Sequence, residues 1–215
     1  TRKESSAASD VYKRQVNDRV EYIRVIMAEL QRIASHLLAI GVFGLDLGAF
    51  TPFLHMLRDR ERIIDLFEMT CGARLLYNYM WVGGLSHDLP KGFVEATLNF
   101  LDYFEPKVDE FENLLGHNKI FVERTADIGT MPAEVAINYG VTGPNLRASG
   151  VNWDLRKDNP YSVYNKLDFN VPVGKGIKGT VGDSWDRFYV RLQEIRESVK
   201  IVRQAIDQLP KDGDV

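Results

Sequence analysis

From Asn17 onward the apolar positions Val20, Ile23, Met27, Leu30, Ile33, Leu37 and Ile40 recur at steps of three and four. That spacing predicts a long helix with one buried stripe. Gly41 and Gly44 follow the stripe and suit a helix end, because glycine accepts positive φ without strain. A second helix is predicted from Thr51-Pro52, a capping hydroxyl before a proline in the first turn, and it carries Phe53, Leu57, Ile63, Ile64 and Phe67 inward. Its mixed-charge run Arg58 to Arg62 reads as a solvated or subunit-facing surface. After the aromatic run Tyr77, Tyr79 and Trp81, Gly83-Gly84 marks a loop. A third helix from about Pro90 to Leu115 places Phe93, Phe100, Phe104, Val108, Phe111 and Leu115 on one side, with a kink or split expected at Pro106. The last helix starts at the cap Asp183 and aligns Phe188, Leu192, Ile195, Val199, Val202, Ile206 and Leu209 before Pro210.

Residues 118–182 have another texture, with scattered glycines and prolines around one short helix expected from Pro132 to Tyr139. So long an irregular stretch is unusual in a compact domain and points to function or to an interface. The fold class expected is therefore mainly α: an antiparallel helical bundle core with a long irregular Gly-rich segment. Residues 1–15, polar and Ser/Ala-rich, break the periodic pattern and are set apart as an extraneous, adaptor-like tail, leaving 16–215 as the helical part. With no initiator Met and no hydrophobic signal segment, the chain reads as an internal piece of a longer protein.

Within this pattern one charge stands out. The twenty-five residues between Arg32 and Arg58 contain one formal charge, Asp46. The sequence places it in a tight helix-to-helix connection walled by Val42, Phe43, Leu45, Leu47 and Phe50. A carboxylate desolvated in this way would exchange protons near neutral pH unless a cation compensates it. The alternative is a turn aspartate that accepts backbone N–H groups. The window is long enough for a membrane span, but three glycines, Thr51-Pro52 and the central acid make it two helix ends instead.

Composition narrows the chemistry further. The 215 residues are 45% apolar with a formal net charge of −3, enough for a real core and without a basic footprint for nucleic acid. Cys71 stands alone, so neither an intrachain disulfide nor a cysteine-held metal is available, and a reducing compartment fits. His36, His55, His87 and His117 show no ligand spacing, and His36 and His55 read as polar core histidines near the Asp46 connection. GKGIKGTVG lacks the strand-to-helix context of a phosphate loop, and GxSxG is absent.

The strings ELQRIASHLLAIGVFGLDLGAFTPF, CGARLLYNYMWVGGLSHDLP, ERTADIGTMPAEVAINYGVTGPNLRASGVNWDLRKDNPYSVY and DSWDRFYVRLQEIRESVKIVRQ together closely resemble the D subunit of respiratory complex I, NADH:quinone oxidoreductase. The resemblance runs colinearly from about Asn17 to Pro210 and covers the middle of the family's sequence. It implies a hydrogenase-large-subunit-like helical core at the cytoplasmic face of the bacterial inner membrane. That core would be peripheral, packed against the small subunit that carries the terminal iron-sulfur cluster, with other peripheral-arm and membrane-arm subunits as further partners. It implies quinone as substrate, with NAD bound elsewhere in the complex and no metal held by this chain. Residue by residue, Asp46 falls where the family places the acidic partner of the quinone-site histidine, and Leu38, Val42, Phe53 and Leu54 fall where it lines the quinone cavity. The family's headgroup tyrosine and histidine lie upstream of this sequence. Leu76 stands where some members have a histidine near the cluster. Two other readings remain: a large-subunit-like chain of a membrane-bound hydrogenase-type complex, and a non-catalytic scaffold whose helices hold partners. Trp153 and Arg156 of GVNWDLRKDNPY, with Asp154, are expected to lock a loop rather than take part in redox chemistry.

Overall fold

The computed structural model describes residues 16–211 and 213, so the tail assigned to 1–15 lies outside the described residues. The chain is mainly helical, and its four long helices are those the apolar stripes predict. The first, α1 (Asp18–Asp46), opens on Asn17, whose side chain accepts the Val20 amide at 3.0 Å. Its stripe from Val20 to Ile40 is buried against the second and last long helices. By length and composition α1 could cross a bilayer, yet 61% of its most apolar window is already covered by this chain's own side chains. Interhelical packing thus accounts for its apolarity.

The helix end differs from expectation in an informative way. α1 runs through Gly41 and Gly44 and stops at Asp46, and the chain turns at Gly48 with φ +90°. Leu47 and Ala49 donate back to the Gly44 carbonyl, and Gly48 to that of Leu45. The two earlier glycines serve close approach instead. A Cβ at Gly41 would meet Phe53 at 3.4 Å, and one at Gly44 would meet the Leu115 methyls at 3.4 Å. The second long helix, α2 (Phe50–Cys71), begins before Thr51-Pro52, and its N-cap Ala49 offers no side-chain bond. Thr51 is therefore not the cap. Pro52 sits in the first turn, where a missing N–H costs no intrahelical bond. At the other end Gly72, φ +72°, closes α2 by donating to the Glu68 carbonyl at 2.8 Å.

A two-stranded hairpin follows, β1 (Met80–Trp81) against β2 (Gly84–Leu85), with Gly83 at φ +89° in the expected loop. Next, α3 (Phe93–Phe111) passes through Pro106 without a split and continues into a π turn at Glu112–Gly116. Pro106 is exposed, so the carbonyl it leaves without a donor faces solvent rather than the core. All six apolar residues predicted for this face are buried.

The stretch 118–182 holds more structure than the sequence suggests. It contains α4 (Lys119–Thr125), α5 (Ala133–Asn138), α6 (Gly143–Ala148), α7 (Leu155–Asp158) and a 3-10 turn at Tyr164–Lys166. Only α5 was expected. Backbone bonds Met131 to Gly182, Gly174 to Arg147 and Ser184 to Ile128 tie the stretch to itself and to the last helix. Val163, Tyr164, Leu167 and Phe169 are buried in the common core, while Ile128, Ile137, Tyr139 and Ile177 remain exposed. The last helix, α8 (Ser184–Asp207), starts at Asp183, whose side chain accepts the Asp186 amide, and its stripe is buried from Phe188 to Ile206.

Candidate functional site

The turn between α1 and α2 is held from three sides. Leu115 seats on Gly44, Phe53 seats on Gly41, and Arg124 donates to the Leu47 carbonyl at 3.0 Å. Asp46 ends α1 at this turn and is exposed, without an ion pair among the described residues. The expected apolar walls do not close over it. Phe43, Leu45 and Leu47 are half-buried, whereas Val42 is 38% and Phe50 55% exposed. The reason is geometric: α1 continues to Asp46 itself, so the carboxylate projects from a helix end instead of lying inside a buried loop. Of the other predicted site residues, Leu38 and Leu54 are 41% and 48% exposed, and Phe53 is half-buried where it crosses Gly41. This chain thus presents Asp46 beside uncovered apolar side chains contributed by both helices. The desolvation that the sequence predicts for Asp46 is absent, and the uncovered apolar surface beside it suits a hydrophobic ligand.

His36 is the polar core histidine expected, whereas His55 is only half-buried. His36 is buried and its Nε2 lies 2.7 Å from Glu194 of α8. Burial outweighs the carboxylate and holds the imidazole's pKa below its ordinary value. The ring is therefore neutral and donates from Nε2, since an ionised carboxylate only accepts. His55 is half-buried with Nδ1 3.5 Å from Glu110, too far and misaligned for a hydrogen bond. Asp59, expected on a solvated surface, is fully buried, bonded to Arg58 at 2.8 Å and accepting the Tyr103 hydroxyl at 3.0 Å.

Behind α1 lies a feature that sequence reasoning missed, a buried chain of ionic groups. Glu29, fully buried, accepts from Arg32 (3.1 Å), Arg156 (3.1 Å), Tyr164 (2.6 Å) and Ser198 (2.6 Å). Arg156 reaches back to Asp154 at 2.7 Å, Arg147 approaches Asp154 at 3.5 Å, and Arg147 binds Glu194 at 2.6 Å. Burial disfavours the charge on Glu29. The guanidiniums of Arg32 and Arg156 and the two hydroxyls outweigh it and hold the carboxyl below its ordinary value. Glu194 is held low in the same way, its burial outweighed by His36 and Arg147. Three carboxylates (Glu29, Asp154, Glu194) face three arginines (Arg32, Arg147, Arg156) with His36 neutral, so the cluster balances. It joins α1, α6, α7 and α8, and it gives Arg156 and Asp154 the loop-locking role expected of them. A Glu one residue before an apolar stripe position, at 29 before Leu30 and at 194 before Ile195, was the available sequence signal.

Among the described residues no three His, Cys, Asp or Glu side chains converge as a metal set. Cys71 is half-buried and its thiol faces the Phe67 carbonyl. Leu75, Leu76, Met80, Trp81 and Val82 form an exposed apolar run around the hairpin, with Leu76 88% exposed.

The sequence pattern of the family described as "Respiratory-chain NADH dehydrogenase, 49 Kd subunit" matches residues 46–215. Among curated proteins, a D subunit of NADH-quinone oxidoreductase from Cytophaga hutchinsonii is 59% identical over 191 residues, covering 89% of this chain and 49% of its own length. The D subunit from Chlorobium phaeovibrioides is 59% identical over 192 residues, 89% of this chain and 48% of its own. One from Anaeromyxobacter dehalogenans is 52% identical over 205 residues, 95% of this chain and 54% of its own. The chain spans about half the length of these relatives.

Proposed function

The chain belongs to the family of the 49 kDa subunit of respiratory-chain NADH dehydrogenase, and we propose that it forms part of the quinone-binding core of a proton-pumping NADH:quinone oxidoreductase. In this reading the helical core is hydrogenase-large-subunit-like and stands at the cytoplasmic face of the bacterial inner membrane. Its partners are the small subunit that carries an iron-sulfur cluster and the neighbouring peripheral-arm and membrane-arm subunits. NAD is bound elsewhere in the complex. Reduction of a quinone to a quinol takes two electrons and two protons. The electrons come from the partner's cluster. This chain's contribution is apolar surface for the ring and tail, from Leu38, Val42, Phe53 and Leu54, and an exchangeable proton at the Asp46 carboxyl. The observation that carries the reading is that Asp46 ends α1 free of any cation, beside uncovered apolar side chains of α1 and α2. The bare run Leu75 to Val82 supports a partner subunit seated around the hairpin.

The test is Asp46→Asn in the assembled complex. Asparagine keeps the shape but cannot release a proton. Quinone reduction should fall about a hundredfold or more, while electron transfer to a hydrophilic acceptor that bypasses the quinone site stays unchanged. Unchanged quinone turnover would overturn the role of Asp46.

A further inference from the structure

We propose that Arg187 and Arg191, one turn apart on α8, form a binding site for a single oxyanion, a carboxylate or a phosphate group. The two arginines line a cavity of about 360 Å³ together with Asn145 and Ser184, and its apolar side is built from Ala39, Phe43 and Phe188. Phe43 stands on α1 just before Asp46, so the cavity lies next to the corner described above.

Three observations converge on an anion. First, neither guanidinium has a carboxylate within ion-pair distance, although both side chains are half-buried. Arg191 donates to the Arg187 carbonyl at 2.6 Å and to Asn145 Oδ1 at 2.7 Å. Arg187 donates to the carbonyls of Gly182 and Gly129 and to Ser184 Oγ. These neutral acceptors fix the two forks without a direct ion pair. Second, the acids nearest to them form no ion pair with either guanidinium and are turned to other donors, apart from Asp186 Oδ1, which is buried without a hydrogen-bond partner. Asp183 accepts from the amides of Asp186 and Asp127, Asp186 Oδ2 from the amides of Gly176 and Gly182, and Glu194 from His36 and Arg147. Burial accordingly holds the pKa of both arginines below the ordinary guanidinium value, against the pull of those acids. Third, the other arginines without an ion pair among the described residues, Arg62 and Arg124, are exposed, where water serves the charge. A half-buried, unmatched pair of planar donors beside a cavity is what bidentate recognition of an oxyanion needs. Its apolar side admits a short hydrocarbon body behind the anionic head.

The anion can come from two sources, a small molecule or an acidic side chain of an adjoining polypeptide, and one experiment separates them. The assembled complex is labelled with phenylglyoxal, an arginine reagent, and modification is read peptide by peptide by mass spectrometry with inorganic phosphate as the probe. If the site takes a free anion, phosphate lowers labelling of Arg187 and Arg191 saturably, by about tenfold, and leaves Arg62 and Arg124 unaffected. If a protein carboxylate fills it, both arginines resist labelling at any phosphate level, and Arg191→Lys forms a zero-length cross-link with carbodiimide to the carboxylate it faces. Labelling that phosphate does not change, together with no cross-link in Arg191→Lys, overturns the proposal.

Discussion

Glu29 and Asp46 are carboxylates on the same helix, and the chain treats them in opposite ways. Glu29 is fully buried and receives two guanidiniums and two hydroxyls, so it stays ionised and cannot exchange a proton near neutrality. Asp46 is exposed at the helix end and has no cation to hold its charge. A carboxylate that stabilises a fold must be fully matched, because an unmatched buried charge costs several kcal/mol. A carboxylate left exposed at a helix end carries no such constraint. On this contrast the buried chain Glu29, Arg156, Asp154, Arg147, Glu194 is framework, and Asp46, the site proposed above, stands outside it.

The contrast breaks most easily at Arg156. Arg156→Ala leaves Glu29 and Asp154 buried with too little positive charge, and it should destabilise the folded chain by about 3–5 kcal/mol, with loss of assembly. Thermal inactivation of the complex measures this. Arg156→Lys should rescue little, since one ammonium cannot reproduce the contacts that the guanidinium makes to both acids. A variant that assembled and melted normally but lost quinone reduction would show that the buried chain takes part in turnover after all.

How much of this was readable in the sequence depends on range. The four long helices were legible because each repeats apolar residues at helical spacing over several turns. Short helices such as α7, four residues long, offer no such repeat. The ionic chain was not legible because its partners are far apart in sequence: Arg156 lies 127 residues from Glu29, and Ser198 lies 169. Gly41 and Gly44 misled for another reason. A missing Cβ serves a left-handed turn and a close helix contact equally well, and only Phe53 and Leu115 reveal which applies. Asp46 was identified as the residue to explain, while its exposure was not foreseen.

The corner itself can be tested through that contact. Gly41→Val adds a branched side chain where Phe53 would already meet a Cβ at 3.4 Å, and the overpacking should cost about 1–3 kcal/mol. Because Phe53 must shift, the apparent KM for quinone should rise more than kcat falls. An unchanged KM would remove Phe53 from the proposed ligand surface.

A smaller effect sharpens the buried side. His36 has a folded pKa lowered from 6.5, so the unfolded chain binds the extra proton first. Its contribution is therefore present above about pH 6.5 and is lost as pH falls below that value. Glu29 and Glu194, lowered from 4.5, add their own loss only below about 4.5. His36→Gln keeps a donor for Glu194 and should cost about 1 kcal/mol at neutral pH. It should also flatten the loss of stability that begins near pH 6.5. A pH–stability curve with its upper shoulder unchanged by the substitution would mean that the His36 pKa does not differ between the folded and the unfolded chain.

The smallest expected effect separates two accounts of how α2 begins. If Thr51 were the cap, its hydroxyl would satisfy an orphan amide, and Thr51→Ala would cost about 1 kcal/mol, as caps commonly do. In the structure α2 starts at Phe50, Thr51 is exposed inside the first turn, and the turn is set instead by the Leu47, Gly48 and Ala49 amides donating back into α1. Thr51→Ala should then change stability by less than about 0.5 kcal/mol, the range of an exposed substitution without a specific contact. Asn17→Ala is the matched control, because Asn17 does cap α1 through the Val20 amide and should lose about 1 kcal/mol. Equal losses in the two variants would mean that Thr51 caps a later start of α2. Asp46 would then belong to a longer and looser connection than the one described, and its freedom from partners would need another explanation.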